Sequence, residues 1–362
     1  MQIILFVLVC SIYLVSCVIN YCPQYNKPTV SDGGDRVKSF LAFSAKLISK
    51  FENKAGRLVQ LPAALLAENA DVVCLNEVFL QNDISTIFNN VKHKYPYVYS
   101  SIHDGTTNNF LTANSSPCPF FLRMKLLVCM VQCAGITDIK GIIECDKENK
   151  CNAWKNLKQE CITCAGAVGA IHVTSCVKKQ QVNVAGNMIL SKYPITKAES
   201  TFFVSDKQAN RQGKLIVEIA GRTIACTKMQ TALSDAYYEP ETKQLFSSSW
   251  ALENLSQAKC ILSNFEQQEK VILMGDLECG PAIPSNNIRK DHEVSYNNLT
   301  VQFDSPYVSD VGQKTSRGAN IITSHVMQKG YNGHHSCSRV LGGKYNGIEL
   351  SNQFGVKCTI AS

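Results

Sequence analysis

At 362 residues, with 45% hydrophobic and 18% charged side chains, the chain has the composition of a packed globular protein, which excludes a disordered polyelectrolyte. The formal charge of +7 is spread without a dense basic run, so charge gives nucleic acid no support as a partner and reads mainly as a solvated surface. The length accommodates one large α/β domain with an insertion as well as it does two small domains.

Ile3 to Val18 form an apolar run broken only by Ser11 and Ser16, too short for a comfortable bilayer span and followed by no Lys or Arg stop. Residues 1–17 therefore read as a signal peptide cut after Cys17, leaving 18–362 as the mature chain; the string LVSC also resembles a bacterial lipoprotein box. Seventeen cysteines are too many for a reducing compartment, so disulfides and a secreted, extracellular location are expected. Asn114-Ser-Ser, Asn254-Leu-Ser and Asn298-Leu-Thr satisfy the glycosylation pattern.

From Val37 to Ala70 apolar residues recur at helical spacing, and Asp71-Val-Val-Cys-Leu has the continuous apolar character of a strand buried on both faces. Eight cysteines crowd between Cys118 and Cys176, including Cys129/Cys133 and Cys161/Cys164, which predicts a disulfide-rich insertion at 118–176. Their spacings do not form the matched C-x-x-C halves of a zinc site. Four bridges there would leave Cys22, Cys74, Cys226, Cys260, Cys279, Cys337 and Cys358, an odd set, so at least one thiol is unpaired or bridges elsewhere. In the same insertion Phe120 and Phe121 stand beside Arg123 and Lys125, the make-up of a disulfide-pinned helix on its own core or of a stretch resting on a membrane surface. Met188-Ile-Leu, Leu215 to Ile219 and Arg222 to Cys226 read as strands, Phe246 to Phe265 as a helix, and Val271-Ile-Leu-Met as a buried strand ending in Gly-Asp. Such alternation is an α/β signature that places acidic residues at the rim of a sheet.

Several strings resemble, in order, the motifs of the endonuclease/exonuclease/phosphatase (DNase I-like) superfamily, closest to its secreted sphingomyelinase-like phosphodiesterases. They are LPAALLAE, ADVVCLNEVF, YPYVY, GNMILSKYPI and VILMGDLECGP. The resemblance implies a four-layer αββα sandwich with the cysteine-rich insertion. It also implies Mg²⁺ held by Glu77, an Asp and a His that prepare a water, and an Asn and second His on the phosphorane oxygens. Asp276 matches the Asp, and Asn20 is the candidate for an N-terminal Asn on the metal side.

The other positions depart from that pattern. Glu278 stands where the motif has Asn, and Lys228, in Thr227-Lys-Met-Gln, replaces the His on the phosphorane oxygens. Near the C-terminus Asn352 and Gln353 occupy the places of an Asp and of the His that prepares the water, and Leu341 that of the carboxylate orienting this His. An amide accepts no proton near neutral pH, so base and orienter are lost together. His334 and His335 precede the strand and are poor substitutes. The expectation is a secreted scaffold of impaired catalysis that binds a phosphodiester or phospholipid, with an active Mg²⁺-dependent phosphodiesterase as the alternative.

Overall fold

The computed structural model describes residues 22, 36–48, 53–118, 145, 148, 158–203, 212–231, 250–333 and 335–360. Strand β1 (Ser39–Ser44), helix α1 (Lys54–Glu68), β2 (Val72–Asn76), α2 (Gln81–Val91) and β3 (Tyr97–Ser100) come first. Helix α3 (Gln159–Val168) is followed by β4 (Met188–Ser191), β5 (Ile195–Phe202), β6 (Gly213–Ile219) and β7 (Arg222–Lys228). Then come α4 (Trp250–Phe265), β8 (Val271–Asp276), α5 (Glu293–Leu299), α6 (Pro306–Asp310) and β9 (Ser324–Lys329). The chain closes with β10 (His335–Val340), the small hairpin β11 (Lys344–Tyr345) and β12 (Ile348–Glu349), and β13 (Gly355–Ile360).

One expected element changes type. The helical spacing over Val37 to Ala70 holds only for α1, while Ser39–Ser44 is a strand. Phe40-Leu-Ala-Phe is apolar at every position, and a short run of that kind satisfies a strand covered on both faces as well as it does a helix. The helix begins where the Asn53 side chain accepts the Gly56 N–H as an N-cap.

The strands form two sheets, ordered β10-β13-β1-β2-β4-β3 and β5-β6-β7-β8-β9. Both are antiparallel except for one parallel pair each, β1 with β2 and β7 with β8. Strand parity builds the layers. Phe40, Ala42, Val72 and Cys74 of the first sheet meet Ile224, Cys226, Ile272 and Met274 of the second in one core. The opposite parity, Leu41, Phe43, Val73 and Leu75, packs under α1 and α2 through Leu61, Leu65, Ile84 and Ile87. Ala225, Leu273 and Met327 pack likewise under α4 and α5 through Ala258, Ile261, Phe265 and Leu299. The result is an αββα sandwich.

Disulfides tie these layers. Cys74–Cys226 joins β2 to β7 across the shared core, Cys22 is bonded to Cys260 of α4, and Cys337–Cys358 links directly paired residues of β10 and β13. Within the insertion Cys118 pairs with Cys161 and Cys164 with Cys176, so these four are bound to sulfur and not to zinc. Their cluster packs on Phe79, Leu80, Val182 and Val184 of the sandwich. Among the described residues the free thiol is Cys279, buried, and burial together with nearby Asp291, Glu278 and Asp276 raises its pKa well above the usual thiol value. The signal segment, Asn20, Phe120, Phe121, Arg123 and Lys125 lie outside the described residues. No helix among the described residues is long and apolar enough to cross a membrane.

The three glycosylation patterns separate by burial. Asn254 is fully buried and donates to the Gln230 carbonyl at 2.8 Å, which leaves no room for a glycan. Asn298 is half-buried and donates to the Val294 carbonyl, whereas Asn114 is exposed in a loop.

Candidate functional site

The parity that fills the inter-sheet core with Phe40, Ala42, Cys74, Cys226 and Met274 ends in polar residues: Ser44 on β1, Asn76 on β2, Lys228 on β7 and Asp276 on β8. Antiparallel β9 brings Ser324 opposite Asp276. These strand ends share one edge of the sandwich, and each of these side chains makes at least one hydrogen bond there, although Asp276 Oδ1 has no partner.

At the centre lies the Lys228 ammonium. Its Nζ is 2.9 Å from Asp276 Oδ2, 2.6 Å from Glu278 Oε1 and 3.9 Å from Glu77 Oε1. Gln353 Nε2 donates to the same Asp276 oxygen at 3.1 Å, and Ser324 Oγ donates to Gln353 Oε1 at 3.0 Å. Ser44 Oγ donates to Glu77 Oε2 at 3.1 Å. All of these side chains are buried. Glu77, Lys228, the Asp276/Glu278 pair and Gln353, far apart in sequence, are thus one network. Asn352 stands outside it: its backbone carbonyl accepts the Arg317 N–H, and its Oδ1 finds no hydrogen-bond partner.

Behind this network an amide web fixes the strand ends. Asn76 Oδ1 accepts the Asp276 N–H at 2.9 Å, while Asn76 Nδ2 donates to Asn187 Oδ1 and to the Thr227 carbonyl. Asn187 Nδ2 and Thr227 Oγ1 both donate to the Gly213 carbonyl. The glycine of the Gly-Asp pair is required here, because a Cβ at Gly275 would run into the Thr227 carbonyl oxygen of the adjoining parallel strand.

Lys46, Glu77, Glu278 and Leu341 all take positive φ, at 47°, 61°, 48° and 56°, immediately or two residues beyond β1, β2, β8 and β10. A non-glycine residue pays on the order of 1 kcal/mol or more for that conformation, so the rim carries strain that its surroundings must hold in place.

Electrostatics follow the geometry. Burial works against the Lys228 charge, but Asp276, Glu278 and Glu77 overcome it and hold its pKa well above the ordinary lysine value. Burial likewise opposes the Asp276 charge, and Lys228 and Lys46 outweigh it, leaving that carboxyl below its usual range. Burial and the adjacent Asp276 push Glu278 up to about 7 in spite of Lys228.

Carboxylates at strand ends are the donor type a hard cation prefers. The ammonium among them is not compatible with such an ion, since it takes the oxygens that would face the metal and brings a like charge. Among the described residues no three His, Cys, Asp or Glu side chains are arranged to hold a metal.

The remaining sequence candidates lie elsewhere. Leu341 is buried in the outer core beneath α1 and α2. His334 is outside the described residues, and His335 pairs with Ile360, at the end of β13 remote from Gln353, and contacts Asp310 at 3.3 Å. Sequence reasoning did not single out Ser44, Asn76, Asn187 or Ser324. Asn76 and Asn187 sit inside the strings LNEVF and GNMILS, where an Asn flanking a buried apolar strand was the available signal.

His325 on β9 was also missed. It is fully buried, its Nε2 donates to the Cys279 carbonyl at 2.7 Å, its ring lies 5.6 Å from Tyr296, and burial lowers its pKa to about 4. The unfolded chain takes up this proton near 6.5 and the fold resists until about 4, so stability falls as pH drops through that window. The loss is expected to reach about 3 kcal/mol. Thermal unfolding from pH 6.5 to pH 4 should show a shallower decline in His325→Gln than in wild type; parallel curves would assign the acid sensitivity to other groups.

Solved structures share this architecture. SmcL aligns with a TM-score of 0.52 at 13% identity, over 90% of this chain and 99% of that chain. An endonuclease/exonuclease/phosphatase protein from Beutenbergia cavernae aligns with a TM-score of 0.50 at 12% identity, over 90% of this chain and 71% of its own. A sphingomyelinase C from Streptomyces griseocarneus aligns at 14% identity with a TM-score of 0.49, over 90% and 99% of the two chains. No family model matches the sequence, and neither does any curated protein. The first two structures place the chain on the endonuclease/exonuclease/phosphatase fold; at such identities the likeness speaks of fold alone.

Proposed function

We propose that this protein is a secreted scaffold of impaired catalysis on a phosphodiesterase fold, acting by binding phosphodiester or phospholipid head groups at a membrane surface. The observation that carries the reading is Gln353. Its amide sits against Asp276 with both ends engaged, and an amide takes no proton from an attacking water at neutral pH. Lys228 is no base either, because three acids hold it protonated. His325 is committed to a backbone carbonyl and His335 is remote, so no imidazole of the described residues joins the network.

Two features support the ligand class besides the sequence resemblance. Arg317 and Arg339 lie 4.6 and 4.3 Å from the ring centroid of Phe354, next to Gln353, which puts two guanidinium groups near the rim, that of Arg317 also 3.8 Å from Glu349. The insertion at 118–176, with Phe120, Phe121, Arg123 and Lys125, has the amphipathic composition of a membrane-resting segment.

One experiment tests both halves. With sphingomyelin-containing vesicles and Mg²⁺, the mature protein is expected to sediment with lipid while releasing head groups about 10²–10⁴-fold more slowly than an enzyme of this fold with intact histidines. Robust release abolished by Asp276→Ala would sink the impairment. Protein that stays in the supernatant with anionic and neutral vesicles alike would sink the membrane role.

A further inference from the structure

We propose that the Lys228 ammonium is the resident cation of this carboxylate cluster, a tethered charge that occupies the acidic edge and excludes a divalent metal ion from it. The inference rests on reading this edge as the fold's acidic centre, and it does not depend on whether hydrolysis is lost.

The geometry is that of a filled cation site. One Nζ contacts carboxylates from three separate positions, Glu77 after β2, Asp276 at the end of β8 and Glu278 just beyond it, at 3.9, 2.9 and 2.6 Å. The Lys228 side chain is 6% exposed and the Asp276 side chain 0%, so water screens the pair little and a charged Asp276 needs a cation beside it. Asp276 Oδ2 is used by Lys228 and Gln353 and Glu278 Oε1 by Lys228, while the buried Asp276 Oδ1 makes no hydrogen bond. On the outer side of Glu77, Oε2 is taken by Ser44.

A hard divalent ion needs about six or more oxygens within roughly 2.0–2.6 Å. Bound to these same oxygens, it would lie almost in contact with the Lys228 ammonium. The neighbouring charges oppose it further, since Lys46 acts on Asp276 and Glu278, and Arg57 on Glu77. A lysine also differs from a metal in what it forbids. Its charge is fixed to β7, cannot be chelated away and leaves no open coordination position for an incoming oxygen.

The test is metal uptake, read without reference to activity. The mature chain is stripped with EDTA, dialysed and titrated with Mn²⁺, free ion being followed by electron paramagnetic resonance. Wild type is expected to take up no Mn²⁺ in a Glu77-dependent manner at millimolar metal. Lys228→Ala is expected to take up one equivalent per chain, lost again in Lys228→Ala/Glu77→Gln. Should alanine not fold, as judged by near-ultraviolet circular dichroism, Lys228→Gln keeps the volume and serves in its place. The proposal is overturned if wild type binds one equivalent that Glu77→Gln abolishes, or if a folded Lys228 variant binds none. Turnover in the vesicle assay without Glu77-dependent Mn²⁺ uptake would leave this inference standing while defeating the proposed function, so the two fail separately.

Discussion

Replacing Cys74 and Cys226 together by alanine is expected to lower the unfolding free energy by about 5 kcal/mol, the loop-closure entropy of a bridge spanning 152 residues. The pair joins β2 of one sheet to β7 of the other inside the shared core, so its loss also leaves a void where two sulfurs filled the layer. The comparison is Cys337→Ala/Cys358→Ala. That bridge closes 21 residues between strands already paired by backbone hydrogen bonds, and its entropic contribution is about 3 kcal/mol. Denaturant midpoints under oxidising conditions should fall in that order. Equal losses, or a smaller loss for the inter-sheet pair, would mean that the sheets are held by packing alone.

Lys228→Met is expected to destabilise the protein by about 3–5 kcal/mol, the usual consequence of stripping the partner from buried charges. Methionine fills a similar volume, so the loss reports charge and not a cavity. The pH dependence distinguishes this from a packing defect. Glu278 is already pushed up to about 7, well above its unfolded value near 4.5, so the fold binds this proton more tightly than the unfolded chain does. The stabilisation that comes with protonation is complete below 4.5 and disappears as pH rises through 7. Without Lys228 the carboxyl should rise further, and the deficit of the variant should shrink on acidification. Adding Glu278→Gln should recover part of the loss in Lys228→Met, since contacting groups couple. A deficit independent of pH and unchanged by the second substitution would remove Lys228 from the role assigned to it.

The sequence by itself determined much of the architecture. Val72-Val-Cys-Leu and Val271-Ile-Leu-Met were legible as strands because a strand covered on both faces must be apolar at consecutive positions, and Trp250–Phe265 was legible by its helical period. The odd number of cysteines outside the insertion already required an unpaired thiol or a bridge to elsewhere. The residue types at Glu77, Lys228, Asp276, Glu278 and Gln353 were visible too, with the chemistry each permits. Their mutual arrangement was not, because it arises from contacts across 29 to 77 or more positions of chain, such as Gln353 to Asp276 at a separation of 77. Only the tertiary structure decided that Lys228 lies inside the acids and not at the surface, that Ser44 and Ser324 complete the network, and that Cys279 is the free thiol among the described residues. Parity along one strand states which side chains share a face, but the partner of a buried charge is chosen by the register between strands and the closing of two sheets. Those depend on the whole core at once.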